Sequence, residues 1–339
     1  MTFISDNFSL SPKKPLFAVV LANTMLSVVP GISGAGPSPE KTLFTPILDA
    51  ELVLRGKITS MPSRPDTPTG CPTPASITRA MMDMCGIIPL FINAGLVHRP
   101  TVPCLDVYGE PGQDPRSTDA VPRTADLFEE GRIIGAMLSR MCDVLVIGEC
   151  VPGGTTTALC VLRALGYPAR VSSSYADNPV GMKEAVWEAV FRRIADNMPL
   201  SQLDAARLCG DPMIPLCAGI GMGYGNRGSR LVLAGGTQML AVAALMKSLS
   251  IPLPVIATTV YVRDDPSANF SEVANRIGVP VAYVDPGFGD LGHAGLARYC
   301  IGEVKEGMGA GGAMFLAAIM GHSPQDIRKK ILGTVSSYQ

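Results

Sequence analysis

Apolar residues in this chain gather in unbroken runs more than they alternate with polar ones. LFAVVLANTMLSVV (16–29), DVLVIG (143–148) and SRLVLAGG (229–236) each lead into glycine-rich turns, and PLPVIATTVYV (252–262) and VPVAYVD (279–285) are two further runs without them. Continuous β-branched runs mark strands covered on both faces, as in a parallel sheet. Helical spacing falls between these runs. Residues 155–165 are closed by Gly166, 181–197 put Glu184, Glu188 and Arg192 on one face, and 237–249 follow Gly235-Gly236 directly. Ser323 with Asp326 three positions on reads as the start of a last helix. Strand, glycine turn, helix, repeated, predicts a doubly wound α/β sheet, mostly parallel, whose ligands bind at the carboxyl ends of the strands.

At 339 residues the chain can bury a large core, and it is expected to form a single α/β domain over 1–339. Segments 59–76 and 100–123 each carry five prolines and read as long ordered loops or lids, because the apolar stretch MCGIIPLFINAGLV between them looks buried. Lys13-Lys14 before the first apolar run imitates a secretion signal. Asn23, Thr24, Ser27 and the Pro30-Gly31 turn break that likeness, and the run is too short to span a bilayer, so it reads as a buried first strand.

Charge excludes some partners. Lys plus Arg (28) and Asp plus Glu (29) nearly cancel without like-charge runs, which argues against nucleic acid and an anionic membrane and for a small molecule. Nine cysteines without a CxxC pair, mostly inside apolar runs, suit free thiols and a cytoplasmic location. With three histidines, none at ligand spacing, no metal site is expected.

Chemistry concentrates in the glycine turns. GECVPGGTTTAL (148–159) has the form of an anion cradle, with Gly153, Gly154, Thr155 and Thr156 at a helix start, but it lacks the lysine of a P-loop. Glu149 would repel an anion there unless turned elsewhere, for instance to ribose hydroxyls. The plainer alternative is a tight turn with Thr155 as a helix cap. VKEGMGAGGAMF (304–315) sets Glu306 and Gly307 before another helix. Glu306 either caps that helix, which would lower its pKa, or stands as a base at the cleft rim. Gly235 and Gly236 offer a second wall of amides, and GISGAGPSPE (31–40) a rigid turn. Arg227 and Arg230 read as surface arginines able to counter a phosphate, and Asp264-Asp265 before Pro266 as a turn or, less simply, a magnesium pair.

Three of these segments resemble nicotinate-nucleotide:dimethylbenzimidazole phosphoribosyltransferases, enzymes of cobalamin lower-ligand assembly. GECVPGGTTTAL is similar to their Gly-Glu-Met-Gly-Ile-Gly-Asn-Thr-Thr-Thr-Ala segment, LAGGTQML to their Val-Gly-Gly-x-Glu turn, and VKEGMGAGGA to their Arg-Leu-Gly-Glu-Gly-x-Gly-Ala-Ala-Leu segment, in the same order. The N-terminal third resembles a divergent archaeal and cyanobacterial branch. The resemblance implies a Rossmann-like three-layer fold with a smaller helical subdomain, here formed by the chain termini and the insert around 59–123, and a homodimer without cofactor or metal. It implies transfer of ribose 5-phosphate from nicotinate mononucleotide to a benzimidazole-like aromatic base, with Glu306 as general base. Glu149, Gly153, Gly154, Thr155, Thr156, Gly235, Gly236 and Gly307 would bind substrate. The chain departs from the pattern at Val151-Pro152, at Gln238 in place of glutamate, and at Lys305, a cation beside the base that would oppose a raised pKa if it pointed at the carboxylate. Two alternatives remain open: a related transferase with another base or phosphoribosyl pyrophosphate as donor, and a non-catalytic nucleotide-binding homologue.

Overall fold

The computed structural model describes residues 2–5, 8, 10–36, 38–198, 200–225 and 230–338. Its first half runs β1 (Pro15–Ala22), α1 (Pro39–Thr42), α2 (Thr45–Arg55), α3 (Pro74–Cys85), β2 (Leu90–Gly95), β3 (Leu105–Asp106), α4 (Thr124–Leu138), β4 (Val144–Cys150) and α5 (Gly154–Ala164). There follow α6 (Val180–Ile194), α7 (Gln202–Cys209), α8 (Met213–Tyr224), β5 (Leu231–Ala234), α9 (Thr237–Ser248), β6 (Val255–Thr259), α10 (Val260–Arg263) and α11 (Phe270–Ile277). The chain closes with β7 (Val281–Val284), α12 (Ala294–Ala297), α13 (Ala310–Ile319) and α14 (Pro324–Ser336).

The seven strands form one sheet in the order β3-β2-β1-β4-β5-β6-β7, and every pairing is parallel. Strand β1 shows why its sequence is apolar throughout. Ala18, Val20 and Ala22 enter one core with helices α4 to α9 and α11, while Phe17, Val19 and Leu21 enter the other with α2, α3, α13 and α14. Polar residues on either face would be buried without water, so no alternation survives.

Helix boundaries agree closely with the pattern at α5 and α9, and Ser323 caps α14 by accepting from Asp326 N at 3.1 Å while donating to its carboxylate at 2.7 Å. One expectation changes. The run 252–262 turns helical after Thr259, because an apolar tail buried on all sides carries no period that separates strand from helix. Glu184, on the face of α6 it shares with Glu188 and Arg192, pairs with Arg163 of α5 at 2.6 Å. None of the nine cysteines forms a disulfide, and only Cys300 is exposed. No helix among the described residues is long and apolar enough to cross a membrane.

Candidate functional site

Because β1 lies between β2 and β4, the connections leave the sheet in opposite senses at the β1–β4 boundary, where the strand ends part and leave a crevice. A cleft of about 800 Å³ opens there. Helices α5 and α9 begin at it, Glu306 and Gly307 line it just ahead of α13, and Thr73 and Pro74 at the start of α3 also line it. Each of these helix starts carries first-turn N–H groups without helical acceptors, so the cleft favours negative charge.

The turn before α5 is built by contact as much as by conformation. Gly153 takes a left-handed φ of 79°, and a Cβ on Gly154 would lie 2.1 Å from Gln238 Nε2. Gln238, in the first turn of α9, donates to Glu149 Oε2 at 2.8 Å and to the Val151 carbonyl at 3.3 Å, while Val151 N also donates to Glu149 Oε2 at 3.1 Å. A glutamate at 238 would bring acceptor oxygens to that carboxyl and carbonyl in place of this N–H donor. The departure at Gln238 therefore belongs to an acid held at the end of β4. Burial, with added repulsion from Asp211 and Glu306, raises the Glu149 pKa to about 8.

Glu306 closes the other side. Its Oε1 accepts from Gly307 N at 3.2 Å and Gly311 N at 3.1 Å, and Oε2 accepts from Gly311 N at 3.2 Å, with Thr258 Oγ1 at 3.5 Å. It thus caps α13 and lines the cleft at once, but without the lowered pKa expected of a helix cap. Burial outweighs the amide bonds, which pull downwards, and its pKa rises to about 7. Lys305 turns away, pairing with Asp265 at 3.3 Å and donating to the Ser173 and Gly302 carbonyls at 2.9 and 2.6 Å.

Of the residues singled out from sequence, Glu149, Gly153, Gly154, Thr155, Gly236, Glu306 and Gly307 line the cleft. Gly235 and Thr156 stand behind it: Gly235 N bonds the Ala257 carbonyl at 3.1 Å, and Thr156 is fully buried. Arg230 is exposed outside the cleft, and Arg227 lies outside the described residues. Asp264 pairs with Arg263 at 2.7 Å, and Asp265 binds Lys305 and Ser267, so neither carboxylate of that pair is left for a cation. Among the described residues no three His, Cys, Asp or Glu side chains are grouped to hold a metal ion.

Two features escaped the sequence reading. Lys183, buried in α6, donates to the Ser172 carbonyl at 2.6 Å, and burial, with Lys305 nearby, lowers its pKa to about 7. Lys183 and Lys305 together set two cations and one carboxylate, Asp265, behind residues 172–174 of the cleft wall. Asp49 of α2 also lines the cleft, accepting from Thr73 Oγ1 at 3.2 Å and Cys150 Sγ at 3.7 Å.

The fold places the chain in a known structural class. It superposes with a TM-score of 0.61 on nicotinate-nucleotide-dimethylbenzimidazole phosphoribosyltransferase from Thermus thermophilus, over 96% of this chain and 84% of that one at 16% identity. A CobT structure from the same organism matches with a TM-score of 0.60 at 17% identity, covering 95% and 84%. The chain itself belongs to the UPF0284 family. It is 42% identical over 338 residues to the UPF0284 protein of Methanosarcina mazei, covering 98% of this chain and 97% of that protein. To the UPF0284 protein of Thermococcus gammatolerans it is 43% identical over 322 residues, covering 93% and 96%. No protein-family model matches the sequence.

Proposed function

We propose that the protein is a phosphoribosyltransferase that moves ribose 5-phosphate from nicotinate mononucleotide to an azole base, with Glu306 as general base. The observation that carries this reading is a cleft-facing carboxyl, Glu306, poised near neutrality among helix starts that suit a phosphate. The ring nitrogen of nicotinate is cationic in the donor, so its bond to the anomeric carbon breaks with the electron pair returning to the ring. A free azole nitrogen attacks that carbon, and the N–H proton of the azole passes to Glu306. One carboxylate suffices, and holding the reactants in line contributes roughly 7 kcal/mol or more to the barrier reduction.

The other groups have parts in this scheme. Phosphate would lie at the starts of α5 and α9 beside residues 172–174, where Lys305 and Lys183 supply positive charge, and an arriving dianion would favour the protonated form of Lys183. Glu149, kept protonated at neutral pH by burial, does not repel that phosphate and offers an O–H to the ribose hydroxyls. Engagement of Asp264 and Asp265 by Arg263 and Lys305 favours the mononucleotide donor over a magnesium-bound pyrophosphate.

Nicotinate release from nicotinate mononucleotide in the presence of dimethylbenzimidazole tests the reading. Release is expected to rise with pH through about 7 as Glu306 ionises, and to fall about 100-fold or more in Glu306→Gln. Absence of release from the wild-type protein with any azole rejects the transfer, and unchanged release by the variant rejects the base.

A further inference from the structure

Two acids stand two residues apart on α2 and are treated very differently. Glu51 faces the protein, where burial alone would raise its pKa. Bonds from the hydroxyls of Ser60 and Thr59 and from their backbone amides bring it down to about 2 instead. Asp49 faces the cleft. Its carboxyl receives one hydroxyl, Thr73 Oγ1, and one weak thiol donor, Cys150 Sγ, and no cation among the described residues pairs with it. A carboxylate offers about four acceptor sites, so part of its capacity points into the cleft unused.

Its neighbours tie it to the reacting end. Thr73 precedes Pro74, whose Cγ would lie 3.4 Å from a Cβ on Gly307, the residue after Glu306. Cys150 follows Glu149 on β4. Through Cys150 and Thr73, Asp49 is thus linked to the segments that carry Glu149 and Glu306, and Leu48, Ile58 and Met61 line the same cleft with apolar surface suited to a ring. A ligand bearing only alkyl groups at this wall would bury the unused positions of the carboxyl without partners, at a cost of roughly 1–3 kcal/mol.

We propose that Asp49 determines specificity for the acceptor: it hydrogen-bonds a polar substituent or ring nitrogen on the edge of the base remote from the attacking nitrogen. The substrate class is then a bicyclic azole with a hydrogen-bonding second ring, such as a hydroxylated benzimidazole or a purine, in preference to an alkylated one. This rests on the phosphoribosyl-transfer reading. Burial pushes the Asp49 carboxyl up to about 7, so it can donate as well as accept, which suits a ring nitrogen or a hydroxyl.

The test has two arms on the full-length protein. In the first, nicotinate mononucleotide is supplied with 5-hydroxybenzimidazole, adenine or dimethylbenzimidazole, and kcat/KM is compared between bases. The wild-type protein is expected to favour a polar base by ~10-fold or more, the preference collapsing in Asp49→Leu and surviving in part in Asp49→Asn. A wild-type preference for dimethylbenzimidazole, or an unchanged ratio in both variants, overturns the assignment. In the second arm the bases are bound without donor and followed by calorimetry, which separates this inference from the transfer itself. If no base is turned over, tighter binding of a polar base that is lost in Asp49→Leu still supports the role of Asp49, and equal binding by both proteins overturns it.

Discussion

At Glu149, burial and four neighbours decide the state of one proton. The carboxyl is buried, Asp211 and Glu306 repel its charge, and the amide of Gln238 and the Val151 N–H favour it; the first two outweigh the last. A folded-state pKa of about 8 against 4.5 means that the folded protein binds this proton more tightly than the unfolded chain does. The stabilisation is full below about pH 4.5 and is lost as pH rises towards 8, since the unfolded state releases the proton first. Glu149→Gln removes the titration, so its urea midpoint relative to wild type is expected to climb between pH 5 and pH 9, by the equivalent of more than ~1 kcal/mol. A difference that stays constant across that range would count against a buried, protonated Glu149. How residues became legible differs at this scale. Glu149 and Glu306 could be found because each stands next to a glycine run that opens a helix. Asp49 could not, because in TPILDAELVLR it has the spacing of any polar position on a surface helix, and its setting is made by Thr73 and Cys150, which are distant in sequence.

Among the elements, the strands were legible where burial on both faces made them uniformly apolar, as at β1, β4 and β5. Helix α8 was not, since MIPLCAGIGMGY is apolar on every side and contains glycines that argue against a helix. Its packing explains them. A Cβ on Gly219 would lie 2.0 Å from the Phe128 carbonyl oxygen of α4, and one on Gly223 would lie 1.9 Å from that of Arg132, so these glycines set how closely the two helices cross. Gly219→Ala is expected to destabilise the protein by about 2–3 kcal/mol through this overlap. Gly333 in α14 has nothing within 4 Å of its Cβ position and is exposed, so Gly333→Ala should stabilise by about 0.5–1 kcal/mol. Thermal or urea unfolding of the two variants checks both signs, and equal effects would reject close packing as the reason for the glycines in α8.

For the whole molecule, the cleft is a property of distant segments brought together. The proline-rich stretch of residues 61–70 supplies one wall, as its reading as an ordered loop suggested. What fastens it could not be read from the sequence: Glu303 accepts from Thr67 and Thr69 of this wall and from Arg298, and Tyr299 Oη donates to the Pro72 carbonyl at 2.9 Å. Glu303 stands three residues before Glu306, so the wall and the proposed base share an anchor. Glu303→Ala should loosen the wall and raise KM for the acceptor ~10-fold or more with a smaller change in kcat, since an acceptor meets a less organised site. Equal losses in KM and kcat would instead place Glu303 in support of the base alone. The anchor also comes with a point of optical access. Cys300, the one exposed thiol in the chain, lies between Arg298 and Glu303, while eight other cysteines are partly or fully covered. A maleimide fluorophore would thus attach first beside the anchor of the wall, turning an incidental surface cysteine into a reporter of cleft occupancy that needs no engineered label site.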